Sequence, residues 1–154
     1  MTVTRFEREV TRVAADIIDR PPDQADFLHS LLCQLGLPRS KQDGRIFERR
    51  SGKAGLRLEA GTIFDGTDFK EVPLPYGPRP RLVLHHICTE AVRIRRATIP
   101  IGESLSGFLR ELGYTTGGRE HERFRRQMTA LCAVRMTLGH SDGFRTTTVN
   151  TQPI

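Results

Sequence analysis

Tryptophan is absent from the 154 residues, and the aromatic set is eight phenylalanines and two tyrosines. No run approaches the ~18 apolar residues that a membrane-spanning helix requires. The opening stretch MTVTRFEREV also lacks the apolar core of a signal peptide. A cytoplasmic protein with no membrane partner is the expectation. Cysteine is scarce too: Cys33, Cys88 and Cys132 form an odd set with no close pair, which excludes a disulfide-stapled fold. They read as reduced thiols buried along apolar stripes.

The usual constellations of chemistry are missing as well. His85 and His86 are adjacent, so on a helix their rings diverge by about 100° and cannot share one metal. No His-x-His strand accompanies a tyrosine nucleophile, and Gly117-Gly118 lacks the lysine and spacing of a nucleotide-binding loop. No catalytic residue, no metal and no cofactor is therefore expected.

What the chain does have is basic charge. Lys and Arg number 24 against 18 Asp and Glu, a net charge of +6 with a pI near 9.9. Such a balance suits a polyanionic partner. Residues 3–18 read as a helix with the stripe Val3, Phe6, Val10, Val13, Ala14, Ile17 and Ile18, ended by Pro21-Pro22. Arg5, Arg8 and Arg12 line another face of it. Residues 27–37 place Leu28, Leu31, Leu32 and Leu35 at helical spacing, but Gly36 and Pro38 cut the run short and leave it ambiguous. A basic segment follows, with Arg39, Lys41, Arg45, Arg49, Arg50 and Lys53. Within it residues 45–50 and 55–60 read as a β-hairpin with Leu56 and Leu58 on the inner face. That hairpin either touches phosphates or keeps a sheet edge soluble by charge. Residues 61–78, with Pro73, Pro75, Gly77 and Pro78, read as a structured connector.

The second half carries the densest pattern. Residues 79–96 form a helix with Leu84, Ile87, Cys88, Ala91 and Val92 on one face, and residues 98–101 are an extended link expected to pair with later strands. Leu105, Phe108, Leu109 and Leu112 make the next helical stripe, closed by Gly113 as a left-handed cap. Thr116 is the expected N-cap of a further helix. Its stripe is Phe124, Met128, Leu131 and Cys132, and its outer face is Arg119, Glu122, Arg123, Arg126 and Ala130. Two β-like runs, 133–138 and 144–151, flank the turn-rich loop of residues 139–143.

Helix, short turn, arginine-faced helix and hairpin together read as an α+β fold, a winged helix-turn-helix with an N-terminal helix and β-hairpin extension. The boundaries are 1–78 for the helix and basic hairpin packed on the core and 79–154 for the winged-helix unit, one compact domain overall. In a DNA-binding role Arg119, Arg123 and Arg126 face the groove, with Arg125 nearer the flank. Thr116, Gly117 and Gly118 offer backbone N–H groups to phosphate, and Arg145 reaches the adjacent backbone. The competing readings are a solvated arginine surface, or a winged helix used only for protein contacts.

Four stretches also look familiar together: LCQLGLPRSKQDGRIFERRSGKAGLRLEAG (32–61), LPYGPRPRLVLHHICTEAVR (74–93), IGESLSGFLRELGYTTGG (101–118) and RFRRQMTALCAVRMTLG (123–139). In order and spacing they resemble the plasmid-encoded RepA family of replication initiators. The resemblance implies a cytoplasmic protein that binds double-stranded DNA at repeated origin sequences (iterons), forms a homodimer, and meets host replication proteins through the full-length molecule. It also implies a second winged-helix domain beyond the first, so the chain is expected to be the N-terminal half of a longer initiator. The alternative is a self-association module of an initiator or autorepressor with only non-specific DNA affinity, its candidate surface the 45–60 hairpin. A chromosomal transcription factor of the same fold is the third reading.

Overall fold

The computed structural model describes residues 24–96 and 98–152. The helix expected over residues 3–18 lies outside them. The described chain is α+β, with four helices and a mainly antiparallel sheet. Its elements are α1 (Gln24–Leu35), β1 (Ile46–Ser51), β2 (Ala54–Glu59), β3 (Thr62–Phe64), β4 (Phe69–Glu71), α2 (Pro78–Ile94), α3 (Leu105–Glu111), α4 (Gly118–Ala133), β5 (Arg135–Ser141) and β6 (Thr146–Thr151). Residues 27–37 thus resolve into the end of a helix, which Gly36 closes at φ 64° with its N–H on the Leu32 carbonyl.

One four-stranded sheet, in the order β1-β2-β5-β6, holds both hairpins. The basic hairpin is therefore no appendage. Leu56 pairs with Leu138 and Leu58 with Met136, all four buried on the helical side. Fully burying one such side chain contributes about 1.5–3 kcal/mol. Leu31 and Leu35 of α1, Leu37, Leu74, Val83 and Leu84 of α2, Phe108 and Leu109 of α3, and Phe124 and Leu131 of α4 complete the core.

The helix ends follow from local chemistry, and at Gly113 the expected left-handed cap is present. Pro78 and Pro80 occupy the first turn of α2, where a missing N–H costs nothing. Ser104 caps α3 by accepting the Gly107 N–H at 3.1 Å. Gly113 adopts φ 82°, and the N–H groups of Gly113 and Tyr114 close the helix end on Arg110 and Leu109. The rings of Phe108 and Phe124, 6.2 Å apart and edge-on, pack α3 against α4 across residues 112–117.

Other expectations are corrected. Residues 98–101 form no strand: Pro100 has no N–H to give a ladder, and β5 already has β2 on one edge and β6 on the other. The N-cap of α4 is Gly117, not Thr116, and its carbonyl takes the N–H groups of Glu120 and His121. Gly139, His140 and Ser141 belong to β5 rather than to a loop, because β2 extends the ladder beside them, and the turn shifts to residues 142–145. The connector 61–78 contains a small hairpin, β3–β4, in which Asp65 accepts the N–H groups of Thr67 and Asp68 and the rings of Phe64 and Phe69 lie 5.1 Å apart, tilted by 47°. Finally, Cys33 and Cys132 are exposed and Cys88 is only half-buried. Cys132 lies eight residues beyond Phe124, about 80° around the helix and off the buried centre.

Gly61 is where the two halves approach most tightly. A Cβ at this position would sit 1.9 Å from the Ala133 carbonyl oxygen at the end of α4. Gly61→Ala is expected to lower stability by ~1–3 kcal/mol through overpacking, read as a reduced denaturant midpoint with an unchanged m-value.

Candidate nucleic-acid interface

The arginine arc of α4 borders its buried face rather than opposing it. Phe124, Gln127, Ala130 and Leu131 point into the core, so the buried face turns toward Gln127 and Ala130. The placement of Ala130 on the outer face is thereby corrected, its small apolar side chain being only 1% exposed. At 100° per residue Arg119, Arg123 and Arg126 fall within about 60° of one another, and Arg125 lies roughly 100° or more away. All four are exposed.

Beside this face the chain builds a groove of about 420 Å³ lined by Arg39, Lys41, Tyr76, Arg79, Arg123 and Arg126, with no carboxylate among its lining residues. Three segments remote in sequence make it, and two hydrogen bonds join them. The Tyr76 N–H donates to the Gln127 side-chain oxygen at 2.9 Å, which satisfies a buried amide of α4. The Gly77 N–H donates to the Pro38 carbonyl at 3.0 Å, with Gly77 at φ 83°. The left-handed conformation favours glycine here.

The cations of the groove are not equivalent. Arg79 donates through Nε (2.6 Å) and Nη2 (2.5 Å) to Glu120 Oε1, and its guanidinium lies 5.4 Å from the centroid of the Tyr114 ring. With both partners largely buried, Arg79 holds the start of α4 against α2 and is not available to a ligand. Arg126 pairs with Glu122 at 2.7 Å on the open surface, an interaction of the kind that contributes about 0–1 kcal/mol and yields readily to a stronger anion. Arg39, Lys41 and Arg123 have no acidic partner among the described residues. Among the described residues the groove therefore presents three unpaired cations and one loosely held.

The remaining sequence candidates lie outside this groove. Thr116, Gly117 and Gly118 are exposed at the N-terminal end of α4, where aligned N–H groups favour an anion. Arg119 shares the arginine face, and Arg125 flanks it. Arg145 stands in the β5–β6 turn, where Asp142 accepts the N–H groups of Phe144 (2.8 Å) and Arg145 (2.7 Å). These bonds, that of Arg145 first, hold the Asp142 carboxyl below its ordinary range. Arg39 and Lys41 were legible only as part of a basic run, since nothing in spacing placed them on α4.

A second cavity, about 270 Å³, lies between α1 and α2 and is lined by Cys33, Arg81, His85 and Cys88. Cys33 Sγ is 3.7 Å from His85 Nδ1, and burial pushes the Cys88 thiol up to about 11. A protonated thiol is a poor ligand and a poor nucleophile, and no group of three metal-binding side chains occurs among the described residues. No helix among them is long and apolar enough to cross a membrane.

Comparison with known protein families, curated proteins and solved structures finds no match for this chain.

Arg79→Met is expected to cost about 2 kcal/mol, since it leaves the Glu120 carboxylate largely buried without its partner. Arg123→Ala should change stability by less than about 0.5 kcal/mol. Parallel urea titrations of the two variants check this division between structural and available arginines.

Proposed function

We propose that this chain is a duplex-DNA-binding unit of winged-helix type from a plasmid replication initiator that reads origin iterons. The single observation that carries the reading is the carboxylate-free groove of Arg39, Lys41, Arg123 and Arg126 beside the exposed arginine face of α4. The order α2, α3, α4, β5, β6, with α4 presenting that face and a hairpin after it, supports the winged-helix assignment. In this reading α4 enters the major groove, and Arg119, Arg123 and Arg126 divide base and phosphate contacts among them. Arg39 and Lys41 neutralise the flanking backbone, Thr116, Gly117 and Gly118 present N–H groups to a phosphate, and Arg125 and Arg145 reach the backbone beyond. The resemblance to RepA-type initiators supplies the biological setting: a cytoplasmic homodimer, with host replication proteins engaged through the full-length molecule. No catalytic step is part of the proposal.

A second reading, self-association with only non-specific DNA affinity, is favoured by one observation. β1 and β6 are the two ends of the sheet order, and among the described residues each leaves an unpaired edge, to which another copy of the chain can add a strand.

Fluorescence-anisotropy titrations against an origin repeat and a shuffled duplex, each at 50 and 200 mM salt, separate the two. Four phosphate-neutralising cations imply a salt slope of about −3.6, a loss of roughly 100–200-fold over that range on non-specific DNA. The proposal expects the repeat to bind more tightly than the shuffled duplex at both salts. Arg126→Ala is expected to weaken the repeat more than the shuffled duplex, by ~1–3 kcal/mol of discrimination if it reads a base. Equal weak binding to both duplexes, together with a stable dimer in sedimentation, overturns the proposal in favour of self-association.

A further inference from the structure

The β5–β6 turn carries a side chain that the fold does not use. Phe144 is 103% exposed, and phenylalanine is among the side chains that gain most from burial. Single exposed hydrophobes are ordinary on protein surfaces. The other exposed large hydrophobics, Ile46, Phe64, Phe69 and Ile101, each keep part of their surface covered, whereas Phe144 keeps none.

The turn that presents the ring is tied down on both sides. Asp142 Oδ1 accepts the N–H groups of Phe144 at 2.8 Å and Arg145 at 2.7 Å, and the Asp142 N–H donates to the Arg145 carbonyl at 3.1 Å. From the adjoining β1–β2 turn, Lys53 Nζ donates to the Asp142 carbonyl at 3.2 Å, and the Lys53 carbonyl accepts the Ser141 N–H at 3.0 Å. An apolar group held in this way loses little freedom when it meets a partner.

Two features select that partner. The first is that Phe144 stands apart from the other apolar groups at the strand ends. Ile46 pairs with Glu59, and Glu59 with Arg135 at the start of β5, so Ile46 lies at the opposite end of the sheet. The β3–β4 hairpin begins three residues beyond Glu59, from that same opposite end. The centre of a protein–protein contact is a cluster of anchors, whereas a base-pair step is parted by a single apolar wedge. The second feature is charge. Across residues 51–54 and 140–147 the charged side chains are Lys53 and Arg145 against Asp142. The tip is therefore positive by one charge, and its one carboxylate is turned onto the N–H groups of its own turn.

We propose that Phe144 is an intercalating wedge: the β5–β6 turn enters the minor groove beside the segment that α4 occupies, and the Phe144 ring parts one base-pair step there, with Arg145 against the flanking phosphate. The proposal rests on the reading of the chain as a DNA-binding unit and adds a deformation of the duplex to it. Pyrimidine–purine steps unstack most easily, so a TA or CA step at a fixed distance from the bases under α4 becomes part of the recognised site.

The test places 2-aminopurine for adenine at successive TA and CA steps flanking the origin repeat, with a donor–acceptor pair on the duplex ends to read its bend. The unaltered chain is expected to brighten one such position several-fold and to kink the duplex by roughly 20–90°. Phe144→Ala should abolish both signals and weaken binding about tenfold, with the salt slope unchanged because no charge is lost. Phe144→Leu keeps an apolar wedge and should retain the kink. Arg145→Gln should instead lower the salt slope by about one. Because the ring is wholly exposed, neither Phe144 variant should move the thermal midpoint by more than about 2 °C. Duplex binding by the unaltered chain with no brightened step, or with one that persists in Phe144→Ala, overturns the wedge and leaves the α4 reading standing. Weaker binding by Phe144→Ala with the kink intact means a ring that touches the duplex without parting it, and overturns the wedge as well. No duplex binding by the unaltered chain overturns both readings. A shift of Phe144→Ala from dimer to monomer in sedimentation, with the kink unchanged, assigns the ring to a second copy of the chain and also overturns the proposal.

Discussion

The pairing of β2 with β5 is the constraint from which the rest of the molecule takes its shape. It brings Leu56 and Leu58, from the first half of the sequence, into one buried layer with Met136 and Leu138 from the second. Once that ladder exists, β1 and β6 have only the outer positions left, and α1 to α4 cover the one apolar face the sheet has. The basic groove depends on it at one remove. Residues 38–41 reach the arginine face of α4 because α1 is fixed over the sheet, and Arg49 donates to the Leu35 carbonyl at 2.6 Å where α1 ends.

Electrostatically the surface is divided rather than uniform. Acidic residues are spent close to home: Glu120 on Arg79, Glu48 and Glu59 on Arg57, Asp65 on its own turn and on Lys70. Asp65 is drawn down to about 2 by the Asp68 N–H, then by Lys70 and the Thr67 N–H. Arg39, Lys41 and Arg123, by contrast, have no acidic partner among the described residues and gather at the α4 groove.

Helices and turns were largely legible in the sequence because their signals are local. The stripe of Leu105, Phe108 and Leu109 and the Gly113 stop each depend on neighbours a few residues away. The hairpin over 45–60 was legible for the same reason. Strand partnership was not. Nothing in the period of β5 says that its second edge belongs to β2 rather than to residues 98–101, and the choice is made by Pro100 and by the match of two buried leucine rows. The arginines of α4 are exposed, but Ala130 was misplaced, since a small residue signals neither face strongly. Of the candidate site, the arginines of α4 were visible and Arg39 and Lys41 were not, because loop residues carry no periodicity to aim them. The resemblance to RepA-type initiators came from motif order, a signal independent of any of these contacts.

Leu58 and Met136 are joined in the sheet across about 80 residues of chain. During synthesis at ~5–20 residues per second, β2 waits on the order of 4–16 s for its partner to be made. Throughout that interval the β1–β2 hairpin has an unpaired inner edge and a row of bare leucines. Non-local pairing of this kind also slows folding itself. The charged residues on the other side of that hairpin, Glu48, Arg50 and Arg57, then serve the nascent chain as well as the finished one, by keeping a waiting strand from pairing with the wrong neighbour.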